Sequence, residues 1–129
     1  STPSKYYVAD VGLRNAVLLA QSEDDGKSLE NMVYLSLKRK LSDVDKMYYF
    51  SDKNECDFVV QRSGKVEELV QVCWELDSDN EKREVAGLIA ASKATGCKNC
   101  KIVTFNQTMT LHSQDLQITV VPAWELEVN

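Results

Sequence analysis

Apolar and polar positions alternate most clearly between Glu55 and Leu76, where two runs rich in β-branched and aromatic residues flank Ser63-Gly64-Lys65. A short polar turn carrying glycine between two such runs predicts a β-hairpin. Side chains alternate faces along a strand, so Glu55, Asp57 and Val59 are expected on one face of the first arm. On the second arm Gln71, Cys73 and Glu75 should share a face, with Val70, Val72 and Trp74 opposite them and Phe58 and Val60 opposite Asp57. A carboxylate in the middle of an apolar strand is costly to bury, so Asp57 needs a partner or a task.

The pattern changes on either side of this hairpin. Lys5 to Asp10 reads as a short extended segment and Val11 to Ala20 as helical. Gln21 to Lys27 is polar and reads as a loop. From Ser28 to Leu41 the apolar residues Leu29, Met32, Val33, Leu37 and Leu41 recur at a period near 3.6, which predicts an amphipathic helix. Its basic end, Lys38-Arg39-Lys40, complements the helix dipole and reads as a solvated terminus, and Glu30 suits the first turn for the same reason. Lys46 to Phe50 predicts a strand. Ser78-Asp79-Asn80-Glu81 has the spacing of a capping box opening a second helix, with apolar positions at Val85, Leu88 and Ile89, and Gly96 placed to end it. Lys101 to Phe105 and Gln117 to Val121 read as strands, with a weak one at Met109 to Leu111. Trp74 and Trp124 read as core or edge-of-core residues.

This order of elements predicts an α/β fold in the mixed α+β sense: a mixed central sheet flanked by helices, with a right-handed parallel crossover from Leu69 through Phe105. The length of 129 residues suits one domain, 1–129, with a single core. The aromatic pair so close to the first residue suggests a domain cut from something longer.

Charge and composition narrow the function classes. The net charge is −5 and the isoelectric point about 4.9, which disfavours tight nonspecific duplex binding, since phosphate neutralisation supplies most of that affinity. No apolar run approaches the length of a membrane helix and no signal-peptide core is present, so a cytoplasmic location with no membrane contact is expected. Four cysteines are too few and too uneven for a secreted disulfide framework. Cys97-Lys98-Asn99-Cys100 has the spacing of half a zinc site, but no second pair follows, so reduced cysteines at a helix-to-strand turn are the expectation.

An acid on a helix, an acid in a hairpin and a polar pair on the next strand form the layout of the PD-(D/E)XK nuclease fold. The chain further resembles, in Lys5-Tyr-Tyr-Val-Ala-Asp-Val-Gly-Leu, Leu29-Glu-Asn-Met-Val, Glu55-Cys-Asp-Phe-Val, Leu69-Val-Gln-Val-Cys-Trp-Glu-Leu, Arg83-Glu84 and Ile118-Thr-Val-Val-Pro-Ala-Trp, the C-terminal domain of a family of prokaryotic P-loop ATPases, the region called DUF4143. The resemblance spans nearly the whole chain. It implies a restriction-endonuclease-like fold, an upstream ATPase domain in a longer chain, and possible contacts with DNA. No GxxxxGK[ST] motif occurs here.

Carried over residue by residue, Glu30 matches the helix acid and Asp57 the hairpin acid. Gln71 stands where the Glu of Glu-x-Lys belongs, and Cys73 where the Lys belongs. Hard Mg²⁺ wants carboxylate oxygens, and the lysine balances transition-state charge, so both departures weaken the chemistry. Gln71 offers a carbonyl oxygen without charge. Cys73 is a soft, neutral thiol at ordinary pH. Glu75, Arg83 and Glu84 are positioned to supply a missing charge from shifted sites. Three functions compete: a nuclease-like DNA- or partner-contacting module with weak or no cleavage, an active Mg²⁺-dependent endonuclease with a migrated motif, and a protein-interaction domain without a nucleic-acid role. Asp57, Gln71 and Arg83 forming a buried polar network is the structural alternative to a metal site.

Overall fold

The structure, a computed structural model, describes residues 5–7, 11, 12, 16 and 25–127. The helix expected from Val11 to Ala20 lies largely outside the described residues, although 11, 12 and 16 are helical. Seven strands form one sheet: β1 Lys5–Tyr7, β2 Lys46–Ser51, β3 Glu55–Arg62, β4 Lys65–Val72, β5 Cys100–Thr104, β6 Met109–Ser113 and β7 Leu116–Pro122. Helices α1 Asp25–Arg39 and α2 Glu81–Thr95 pack on it, and a 3-10 helix, Ala123–Glu127, follows β7. The fold is mixed α/β, as the pattern of elements predicted.

The sheet order is β1-β2-β3-β4-β5-β7-β6. The strands β1 to β4 pair antiparallel in sequence order, β4 pairs parallel with β5 across α2, and β5 pairs parallel with β7. The strand β6, the weakest in the sequence, is an edge strand antiparallel to β7. Ser63 and Gly64 both take positive φ, 52° and 84°, which is the two-residue turn whose twist matches that of a hairpin.

The two helices lie on opposite faces. Leu29, Val33, Tyr34 and Leu37 of α1 bury against Phe58, Val60, Val70, Val72 and Val103, together with Ala123 and Leu126 of the 3-10 helix. Leu88 and Ala91 of α2 bury against Phe50, Cys56, Val59, Leu69, Ile102, Ile118 and Val120. Fully burying a side chain such as Phe58 or Leu88 contributes about 2–3 kcal/mol each, so these two clusters fix which face each strand turns to which helix. Cys97 and Cys100 belong to the α2-side cluster as packed thiols.

Several local expectations are corrected. The helix α1 begins at Asp25, within the stretch read as loop, because Asp25-Gly26-Lys27 continues the helix backwards. Glu30 is therefore its sixth residue and lies beyond the first turn, where the dipole would reward an acid most. Met32 is 41% exposed, off the buried stripe, whereas Tyr34 and Ser36 are buried. Ser78 does not cap α2: Asn80 occupies that position, and the Asp77 carboxylate instead receives the backbone N–H groups of Asp79 and Asn80 at 2.9 and 3.0 Å. Trp74 and Trp124 are exposed at 38% and 63%, so neither is a core residue.

The pleat also departs from simple alternation on β3. Tyr48 pairs with Val59 but Phe50 with Cys56, so three steps on β3 match two on β2. This β-bulge at Asp57–Phe58 puts Cys56 and Val59, three positions apart, together on the α2 side. On β4 the alternation holds: Leu69 faces α2 and Val70 and Val72 face α1.

Candidate functional site

Where β3 starts and β4 ends, the sheet opens into a cleft of about 620 Å³. Its lining draws on four separate segments: Gly26, Lys27 and Glu30 from α1, Glu55 and Asp57 from β3, Val72 to Glu75 at the end of β4, and Asn80, Arg83 and Glu84 at the start of α2. Six of the seven residues singled out in the sequence, namely Glu30, Asp57, Cys73, Glu75, Arg83 and Glu84, thus meet at one place. Lys27, Glu55, Trp74 and Asn80 complete it and were not singled out as site residues, since nothing in their local spacing marks them.

Gln71, the seventh, stands behind this cleft. It is 2% exposed and lines a smaller adjoining cavity of about 210 Å³ with Glu55, Asp57, Arg83 and Glu84. Its amide is fully engaged as a donor: Nε2 donates to the Glu55 carbonyl at 2.7 Å and to the Glu84 carbonyl at 3.0 Å. Its Oε1 accepts the Asp57 N–H at 2.9 Å. The side chain that replaces the metal-binding Glu is therefore a tie between β3, β4 and α2. Gly87 makes this approach possible, because a Cβ there would run into the Glu55 carbonyl oxygen and Gln71 Nε2.

Asp57 is half-buried beside the bulge, and its Oδ2 accepts the Val72 N–H at 2.8 Å. At the bulge a side-chain carboxylate, and not a ladder carbonyl, thus accepts the N–H at the end of β4. Glu30 is buried at 7% exposure, which a mere helix-end acid would not be. Buried carboxylates are rare without a partner or function.

The strand β4 ends at Val72, so Cys73 and Glu75 follow the strand rather than continue its face. The Cys73 N–H still bonds the Val103 carbonyl at 3.0 Å, which holds the thiol half-buried at the cleft. Burial, then the charges of Glu84, Asp57 and Asp77, push the Cys73 thiol up to about 12, against a smaller pull from Arg83. Cys73 is thus neutral where a nuclease of this layout would carry a cation. Glu75 is exposed.

Glu84 is 8% exposed, and burial raises its carboxyl above the ordinary glutamate range; Arg83 lowers it, while Glu30 and Glu55 add to the rise. Arg83 reaches Glu84 Oε2 at 3.4 Å with its side chain 75% exposed. The buried network of Asp57, Gln71 and Arg83 is therefore corrected: Asp57 and Gln71 are linked through backbone, but Arg83 stays at the surface and pairs with Glu84.

Five carboxylates (Glu30, Glu55, Asp57, Glu75, Glu84) and two cations (Lys27, Arg83) line the cleft. Among the described residues no group of three or more His, Cys, Asp or Glu side chains is close enough to hold a metal ion. Of the residues carried over from the resemblance, Glu30 and Asp57 bear the carboxylate oxygens that suit Mg²⁺, Cys73 is a soft thiol, and the Gln71 amide is committed to the backbone. No helix among the described residues is long and apolar enough to cross a membrane.

The chain is similar to the uncharacterized protein MJ1544 of Methanocaldococcus jannaschii, with 35% identity over 130 aligned positions. The alignment covers 95% of this chain and 29% of that protein, so the chain spans less than a third of its relative's length. No family model matches the chain, and no solved structure matches it.

Proposed function

We propose that this chain is a nuclease-like module of a longer prokaryotic P-loop ATPase, working in the cytoplasm, whose degraded metal site contacts DNA or a protein partner and cleaves weakly or not at all. One observation carries this reading: acids from α1 and β3 open onto the same cleft as a thiol that is neutral at physiological pH. Metal-assisted hydrolysis needs a charged oxygen cage to hold the ion and a cation to balance the pentavalent phosphate. Glu30 and Asp57 retain half of the first requirement. Cys73 fails the second, and Gln71 is held by three hydrogen bonds. Mg²⁺, if bound, would rest on Glu30 and Asp57 with water filling its other positions. Similarity to part of a much longer relative agrees with a module role.

The competing endonuclease reading draws support from Arg83 and Glu84, a charge pair at the same cleft that stands in a migrated position. Incubation of the chain with single-stranded, duplex and branched DNA in Mg²⁺ or Mn²⁺ separates the two. We expect no cleavage above the metal-only control and no heat of metal binding by calorimetry. Cleavage abolished by Asp57→Ala would establish the endonuclease instead. Failure to retain any of these DNAs at low salt would leave partner contact as the remaining role.

A further inference from the structure

We propose that Trp74 and Phe105 form the seat for an arginine side chain of a protein partner, with the guanidinium stacked on the indole and its charge met by the neighbouring carboxylates. The two rings stack with centroids 4.3 Å apart and planes inclined by 8°. They remain 38% and 49% exposed. Single exposed apolar residues are common, but here two large aromatics cover one face of each other and still leave a good part of both rings to solvent, apolar area that water does not reward.

The seat is held in place before any ligand arrives. The Phe105 N–H donates to the Trp74 carbonyl at 3.0 Å. Two residues on, the Gln107 amide clasps the Leu76 backbone from both sides: Oε1 accepts the Leu76 N–H at 2.7 Å and Nε2 donates to the Leu76 carbonyl at 2.9 Å. The Gln107 N–H is anchored in turn on the Oγ1 of fully buried Thr104 at 2.9 Å. The loops after β4 and β5 are thus locked together, so little ordering cost remains for a ligand to meet. They lie beyond the carboxyl ends of two parallel neighbours, where α/β sheets commonly receive ligands.

Charge selects the occupant. Trp74 lines the cleft whose carboxylates outnumber its cations, and exposed Glu75 is its chain neighbour. Nucleobases also stack on indoles, but the phosphates they bring would face those carboxylates. A cation is favoured, and a guanidinium above an ammonium, because it is planar, weakly hydrated and forks onto carboxylates while it stacks. The chain already shows the carboxylate half of this pairing in Arg83 on Glu84, at a long 3.4 Å with the arginine largely in solvent. The assignment stands on this geometry and is independent of any nuclease ancestry.

The test uses the chain with Trp124→Phe, so that Trp74 is its sole indole. It is titrated with a blocked short peptide carrying two arginines, with the lysine counterpart, and with a short thymidine oligonucleotide. We expect saturable change of Trp74 fluorescence with the arginine peptide, and an affinity about fivefold above that for the lysine peptide. By calorimetry, in variants shown to be folded by circular dichroism, Trp74→Leu should weaken the arginine peptide about tenfold, and Glu75→Gln should reduce its salt dependence. No saturable arginine binding, equal affinity for the two peptides, affinity unmoved by Trp74→Leu, or preference for the oligonucleotide would each overturn the assignment. Those outcomes leave the cleavage and metal-binding results, on which the nuclease-like reading rests, untouched.

Discussion

Gln71 donates from Nε2 to the backbone carbonyl of Glu84, 3.0 Å away, and so fastens the end of β4 to the first turn of α2. The same amide holds Glu55 and Asp57 of β3. The position that would carry a catalytic Glu in the nuclease layout is here a structural crosslink, and that determines how the protein responds to change.

Gln71→Glu, the substitution that would restore an acid, is expected to destabilise the fold. A carboxylate has no N–H to give, so it would face two carbonyl oxygens while buried. We expect a loss of about 3 kcal/mol at neutral pH, measured by urea unfolding. An unchanged midpoint would show that the crosslink is dispensable.

Gly87→Ala tests the same contact from the helix side. Helix propensity alone predicts a gain of about 1 kcal/mol for this change. The Glu55 carbonyl and the Gln71 amide occupy the space a methyl would need, so we expect instead a loss of about 2 kcal/mol or more. The sign of the change in melting temperature decides between them.

Glu84 gives the fold a pH dependence. Its carboxyl is raised above the ordinary value of 4.5, chiefly by burial, so the folded state holds its proton more tightly than the unfolded state. The contribution to stability is full below the ordinary value and is lost as pH rises through the raised one. Glu84→Gln, neutral throughout, should flatten this decline in stability above pH 4.5. A slope identical in the variant would assign the effect elsewhere.

Cys73, pushed up to about 12, should resist alkylation despite its half-exposed position. The scarcity of thiolate at pH 8, partly offset by its greater nucleophilicity, predicts iodoacetamide labelling about a hundredfold slower than for a free thiol. Removing the Glu84 charge, the second cause of the shift after burial, should speed it. Peptide mapping by mass spectrometry reads both rates, and labelling at the rate of free cysteine would contradict the assigned environment.

The alternation of Glu55 to Leu76 and the 3.6 period of α1 made the hairpin, the first described helix and the parallel crossover legible from sequence. That Glu30, Asp57, Cys73, Glu75, Arg83 and Glu84 line one cleft could not be read from local periodicity, which says nothing about which distant segments meet; only the resemblance grouped them. The bulge at Asp57–Phe58 was hidden, because it is a feature of pairing between strands and leaves no mark on either strand alone. A buried polar network holding Gln71 was among the alternatives read from the sequence, but its partners were hidden: they are backbone atoms fourteen, sixteen and thirteen positions away, which have no side-chain signature. One signal was present and unused. A glycine inside an otherwise alanine-rich helix is costly there, and Gly87 marks the point where another chain segment presses against it.

The insertion of β7 between β5 and β6 constrains how the molecule can be assembled. On leaving β5 the chain lays down the outermost strand first and only then returns to fill the gap, so β6 has no neighbour until Leu116 to Pro122 arrives. Those seven residues complete two ladders in one step. Two of the seven strands, β6 and β7, must therefore wait for a segment close to the end of the described chain, and a nascent polypeptide lacking it would expose the edge of β5 to any other strand that passed.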